Sequence, residues 1–166
     1  MIPGKIIRFL EERASVAFAG TRDRNLVPQG HRVTGWLVGP DGRTLTVFIA
    51  ESSIPHLVEA LHDNGRIAVT FEEVATHETY QLKGRYLGHR PARSTETEIS
   101  ARLRERFMKS LHSLFAHHEM AALLGPSIGS PGLVVELEVH EVFLQTPGPG
   151  AGTRLAPPPD VEVSAT

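Results

Sequence analysis

The 166-residue sequence contains no cysteine, which excludes disulfides, thiolate metal centres and cysteine nucleophiles together. It fits a reducing compartment, so the cytoplasm is the expected location. There is no run of about 18 apolar residues, the length a membrane-crossing helix needs, so no membrane span is expected. Residues 1–13 interrupt their few apolar positions with Lys5, Arg8, Glu11 and Glu12 and so lack the unbroken apolar core of a signal peptide. An excess of positive charge is missing as well: 17 Lys and Arg face 19 Asp and Glu, for a net charge of -2. A nucleic-acid surface needs basic residues gathered on one face to displace counterions, so that class of partner is not expected. Neither HExxH nor HxH occurs among the nine histidines, and His117 and His118, being adjacent, diverge by about 100° on a helix. No metal site is expected. Alternating βα units and internal repeats are absent too, which disfavours a doubly wound sheet.

What is present is an ordinary globular composition, 40% hydrophobic and 22% charged, in a length that suits one core. Residues 3–13 carry Ile6, Ile7, Phe9 and Leu10 as the stripe of a short amphipathic helix, a lid for one edge. Residues 15–21 read as a strand and 22–26 as a turn. Residues 31–38 and 44–49, joined by Gly39-Pro40-Asp41-Gly42, read as a hairpin. Ile54, Leu57, Val58 and Leu61 then recur at helical spacing, with Ser53 at the start, Pro55 in the first turn and Gly65 at the end.

Period two returns in 66–71 and again in 80–87, where Tyr80, Leu82 and Tyr86 share one side and Gln81, Lys83 and Arg85 the other. Thr95 and Glu98 have capping-box spacing ahead of an apolar stripe at Ile99, Leu103, Phe107, Leu111 and Leu114, the longest helix. In the last strand, Leu133, Val135, Leu137 and Val139 have one parity and Val142 and Leu144 the other, so a bulge is expected near His140 and Glu141. The expected domain spans 1–147, with a flexible Pro/Gly-rich tail over 148–166. The fold class is mainly β with α (α+β): a six-stranded antiparallel split β-barrel with flanking helices.

Two further motifs weaken in context. Gly125-Pro126-Ser127-Ile128-Gly129 matches the G-x-S-x-G of a nucleophile elbow, but a helix-like segment precedes the serine where that chemistry requires a strand. The glycines of 148–152 lack the Lys and Ser/Thr of a phosphate loop.

The ordered set Phe9-Leu10, Ser15-Val16-Ala17, Pro28 to Trp36, Thr46-Val47-Phe48-Ile49, Leu61 to Phe71 and Thr76 to Gly84 resembles the FMN-binding split barrel of the pyridoxamine 5′-phosphate oxidase family. The resemblance covers residues 5–88, and the rest follows by element order. It implies a homodimer with the cofactor at the interface and a small-molecule substrate. His31, Arg32, Val33 and Thr34 match the family's ring- and ribityl-contacting strand, Phe48 and Ile49 its third-strand contacts, and Gln81 a glutamine directed at the flavin. Ser52 and Ser53 stand where a helix start favours a phosphate, and Lys83 adds charge.

Better-known members carry an Arg-Lys pair in that helix, whereas this chain has Pro55, His56 and Leu57. A phosphate then relies on Arg32, Lys83, His56 and the amides of Ser52 and Ser53. The family's carboxy-terminal Trp and Arg also have no match, since Trp36 is the only tryptophan, so oxidation of the vitamin phosphate itself is not predicted. The implied chemistry is hydride or electron transfer on a bound FMN, with no protein nucleophile and no catalytic residue named. The alternatives are another flavin or a deazaflavin, a haem with His77 as the histidine to test, a carrier without turnover, or an empty barrel.

Overall fold

The computed structural model of the protein describes residues 1–114 and 129–156. The chain builds α1 (Gly4–Glu12), β1 (Ser15–Arg22), β2 (Pro28–Val38), β3 (Thr44–Ala50), a 3-10 turn (Glu51–Ser53), α2 (Ile54–Asn64), β4 (Arg66–Glu73), β5 (Thr79–Pro91), α3 (Ser94–Leu114), β6 (Pro131–Leu144) and β7 (Arg154–Ala156). The strands form one antiparallel sheet in the order β3-β2-β1-β4-β5-β6-β7, and pairing of β3 with β6 closes the first six into a barrel. This is the split barrel with flanking helices that the alternation predicts.

Alternation explains the closure. Ala17 and Ala19 of β1, Ile67, Val69 and Phe71 of β4, and Tyr80 and Leu82 of β5 point inward and are buried, meeting Leu45 and Val47 of β3 and Val135 and Leu137 of β6. Trp36 stands on Phe71 edge to face, with centroids 5.0 Å apart, and its Nε1–H donates to the Leu10 carbonyl at 2.9 Å. That bond ties α1 to the barrel. Ile2, Ile6, Phe9 and Leu10 are buried beneath it, so α1 is the lid expected of its stripe.

The turns follow local chemistry. Asp41 accepts from the Arg43 and Thr44 amides and from the Thr44 hydroxyl, which holds its carboxyl down at about 2. Gly42 sits beside it at φ +61, and Gly65 ends α2 at φ +63. The expected bulge near His140 is present: Lys83 faces Glu141 while Gly84 faces Val139, leaving His140 as the extra residue.

Two expectations need correction. The box at the start of α3 is not Thr95 with Glu98. Glu96 is the acid three residues into the helix, and it accepts from the Arg93 amide at 2.8 Å while Arg90 clamps both its oxygens at 2.8 and 3.2 Å. Arg90, from the end of β5, decides which acid faces inward, and that partner lies outside the helix's own spacing. The tail expected from 148 also starts too early. Leu144 donates to the Thr153 carbonyl and accepts from the Gly152 amide, and Val142 and Phe143 face Ala156 and Arg154 of β7. A short return strand satisfies the edge of β6 that composition alone left open.

Candidate functional site

The outward face of the barrel is defined by register. Arg32 of β2 faces Phe18 of β1, Phe18 faces Thr70 of β4, Thr70 faces Gln81 of β5, and Gln81 faces Phe143 of β6. One row therefore runs across five strands. Along it, the Arg32 guanidinium lies 5.2 Å from the Phe18 ring centroid and the Gln81 amide donates to Thr70 Oγ1 at 3.0 Å. Phe18 is 47% exposed although it is centred on the sheet.

The next row holds Gly30, Gly20, Ala68, Lys83 and Glu141, and beyond it Arg66 faces Arg85 while Arg22 faces Pro28. Small residues in the middle of a sheet leave a depression. Here it is a cleft of about 570 Å³, floored by Gly20, Ala68 and Gly84 and walled by Arg22, Arg66, Lys83, Arg85 and His140. Lys83 Nζ lies 4.4 Å over the Phe143 ring, and Arg154 lies 5.5 Å from the same ring. Glu141 is the one carboxylate on the wall, and Arg154 holds it at 2.6 Å.

The ten residues named from the sequence divide among four places. Arg32, Gln81 and Lys83 share the outer face. Val33 and Ile49 face each other inside the barrel core, 5% and 0% exposed. Thr34 and Phe48 are buried beneath α3: Thr34 is the extra residue of a β2 bulge, its hydroxyl donates to the Phe48 carbonyl at 3.2 Å, and Ser100 Oγ lies 3.3 Å away. Gly35 is required there, because a Cβ would come within 2.6 Å of the Phe48 ring.

His31 is buried near the mouth of the barrel, 2.9 Å from Thr21 Oγ1. It lines a separate cleft of about 360 Å³ with Gln29, Gly30, Ser52 and His56. Ser53 closes the 3-10 turn beside Ser52. The phosphate set read from the sequence is therefore split, with Arg32 and Lys83 on the sheet face and Ser52 and His56 at the start of α2.

Among the described residues, no three His, Asp or Glu side chains gather as metal ligands, and no helix is long and apolar enough to cross a membrane. His77 lies in the β4–β5 turn at φ +59, with Nδ1 2.7 Å from Glu72. His117, His118 and Ser127 lie outside the described residues. The residues that sequence reasoning missed are Arg22, Arg66, Phe18, Gly20, Ala68 and His140. Their parity was legible, but only the register shows that they are neighbours.

Comparison with solved structures shows the same fold. The chain is similar to HupZ of Group A Streptococcus at 16% identity, covering 92% of this chain and 100% of that one, with a TM-score of 0.53. It is similar to a Clostridium acetobutylicum protein related to general stress protein 26, of the pyridoxinephosphate oxidase family, at 13% identity, covering 92% of each chain, with a TM-score of 0.50. It is also similar to an F420 reductase at 13% identity, covering 86% of this chain and 98% of that one, with a TM-score of 0.50. No protein-family model and no curated protein matches the chain. Members of the family that the sequence resembles are thus among its structural neighbours, and at these identities the likeness shows the fold alone.

Proposed function

We propose that the protein binds a flavin-type cofactor, FMN in the first instance, on the outer face of β1, β4 and β5, and that it transfers hydride or electrons to or from a small molecule. The observation that carries this reading is the row Arg32, Phe18, Thr70, Gln81, Phe143, which opens directly onto a cationic cleft. A flat apolar surface beside a neutral hydrogen-bonding amide suits a planar ring with polar edges, and a cluster of cations suits its anionic tail.

Each residue has a physical part in this. Phe18 would support one face of the ring, and Arg32 would set its planar guanidinium at the border. The Gln81 Nε2–H is engaged by Thr70, which orients the amide and leaves its carbonyl to accept from the ring. Lys83 is the first cation met where the face passes into the cleft. When bound, the flavin supplies the redox chemistry, and the chain positions it and keeps water from one side.

A ring lying on an open sheet needs a second cover, and the half-exposed Phe18 supports assigning that cover to a second copy of the chain. The homodimer is thus part of the proposal. Light scattering should return about twice 18.2 kDa, and a monomer that nevertheless binds flavin would remove this part alone.

A carrier without turnover is the second reading. One observation favours it: the row Arg32, Phe18, Thr70, Gln81, Phe143 holds no histidine or carboxylate to serve as an acid or base. Titration with FMN followed by visible absorbance tests both readings. Uptake that is weakened roughly tenfold in Phe18→Ala and Gln81→Ala supports the site, and bleaching by reduced nicotinamide dinucleotide then favours the oxidoreductase over the carrier. Protein that takes up neither FMN nor any other flavin sinks both.

A further inference from the structure

Arg66 and Arg85 are directly opposed in the register of β4 and β5. Like charges facing each other across a ladder destabilise it unless something negative lies between them. Arg22 and Lys83 join them around the same cleft, and among the described residues none of the four is in an ion pair with a carboxylate. Lys83 has a natural partner, since Glu141 faces it across β5 and β6. That partner has been taken away: Arg154 holds Glu141 at 2.6 Å, and the lysine ammonium lies over Phe143 instead. Arg85 is steered by its Nη1–H, which donates to the Asn64 carbonyl at 3.2 Å, and Arg22 by the Asp23 carbonyl at 3.3 Å. Two guanidiniums are thus braced by neutral oxygens, which costs them no charge.

We propose that this cleft binds a diphosphate group, as carried by a dinucleotide. A phosphate monoester and the diphosphate bridge of a dinucleotide each bring about two negative charges, so the choice between them falls to geometry. The bridge holds its charges on two linked groups, which can take the planar forks of separate arginines, whereas a monoester offers one group to cations spread around the cleft. A cleft of about 570 Å³ has room for such a group together with part of its nucleoside. The floor is permissive: at Gly20, the nearest atom to an added Cβ would be the Ala68 carbonyl oxygen, 3.9 Å away, so phosphate oxygens can lie against the strands.

Arg22 is four residues along β1 from Phe18, about 13 Å, with only Gly20 on that face between them. A ring on the first row and a diphosphate on the third are joined by a clear track. The inference rests on the proposed flavin site for what the ring is, but not for the phosphates. Two sources share the chemistry, a flavin dinucleotide used in place of FMN and a reduced nicotinamide dinucleotide acting as co-substrate.

Calorimetric titration of the full chain at low ionic strength, first with inorganic pyrophosphate and then with orthophosphate, tests the site without any flavin. Pyrophosphate should bind at least roughly tenfold more tightly, and Arg66→Glu should remove that preference. Gly20→Val keeps every charge and fills the floor; it should weaken pyrophosphate by a similar factor while circular dichroism stays unchanged. Equal binding of the two anions, or pyrophosphate binding that survives both variants, overturns the proposal. FAD against NADPH, each with wild type and Arg66→Glu, then identifies the source as the ligand whose affinity falls with the charge. Should pyrophosphate discriminate while no flavin is taken up, the flavin reading fails and this one stands. Flavin uptake without pyrophosphate binding gives the reverse.

Discussion

Arg154 reaches from the last strand to within 2.6 Å of the Glu141 carboxylate, and so removes the acid that the register sets opposite Lys83. The pair is 48% and 28% exposed, so its own contribution to stability is small, below about 1 kcal/mol. Its effect is on the electrostatics of the cleft. In Arg154→Ala, Glu141 is released to pair with Lys83, and pyrophosphate affinity should fall several-fold with little change in melting temperature. Adding Glu141→Gln should restore most of the loss, since the competing charge is then gone. Calorimetry on the two variants checks this, and a double variant no better than the single one would show that Arg154 acts on the ligand directly.

Gly84 and Gly20 predict opposite outcomes for the same change. A Cβ on Gly84 would overlap the Glu138 carbonyl oxygen at the His140 bulge, whereas a Cβ on Gly20 meets nothing closer than 3.9 Å. Gly84→Ala should therefore cost about 1–3 kcal/mol through forced backbone displacement, and Gly20→Ala should be neutral or slightly stabilising. Urea denaturation of the two proteins distinguishes them, and equal stabilities would mean that the bulge yields.

How much of this was legible in the sequence depends on the kind of information each feature needs. Inward residues such as Ile67, Val69 and Phe71 announce themselves by alternation, because burial on one face of a strand is a property of the strand alone. The His140 bulge was visible as a parity change for the same reason. The candidate site required more, because Phe18, Thr70 and Gln81 come from three strands. Their alignment depends on how β1 pairs with β4 and β4 with β5, which no local pattern records. Cover is equally non-local: Thr34 and Arg32 have the same parity on β2, but α3 buries Thr34 and leaves Arg32 at the open face. Ser52 and Lys83, expected on a single phosphate, stand in different clefts of one protomer, because the sequence pattern does not record how far strand β5 lies from the start of α2.

Trp36 connects the barrel to its lid, and Trp36→Phe isolates that connection. The ring packing on Phe71 is largely retained, while the indole N–H donated to Leu10 is lost and the carbonyl is left without that donor. The expected loss is about 1–3 kcal/mol, together with earlier exposure of α1. Hydrogen exchange at Ile6 to Leu10 reads the second effect, and protection there equal to that of the wild type would show that burial alone holds the lid.

Glu96 makes stability depend on acid. The Arg90 clamp, aided by the Arg93 amide, holds its carboxyl down from 4.5 to about 2. A carboxyl that is more acidic folded than unfolded adds stability that is complete above its unfolded value and lost as pH falls through the folded one. The window is therefore about 4.5 down to about 2. Because Arg90 is 39% exposed, solvent screening reduces the contribution to the order of 2 kcal/mol. Glu96→Gln should flatten the pH dependence across that window, and denaturation midpoints at pH 5 and pH 3 test it. Because α3 buries Thr34 and Phe48, the same variant should loosen that contact before the barrel itself unfolds.

The opposition of Arg66 and Arg85 sets stability against binding. In the free protein, facing guanidiniums on adjacent strands repel by roughly 0.2–1 kcal/mol, a strain that folding alone has no reason to retain. Arg66→Glu converts it into an attraction, so the unliganded variant should melt higher than the wild type at low salt, with the difference shrinking as salt screens it. Ligand reverses the order. A bound anion stabilises the native state by RT ln(1 + [L]/Kd), about 2.7 kcal/mol at a hundredfold excess over Kd, and only the wild type should gain it from pyrophosphate. The two melting curves should therefore cross on addition of the anion. A variant that is less stable than the wild type in its absence, or a wild type that pyrophosphate leaves unmoved, would mean that Arg66 and Arg85 face each other for reasons of packing and not for a ligand between them.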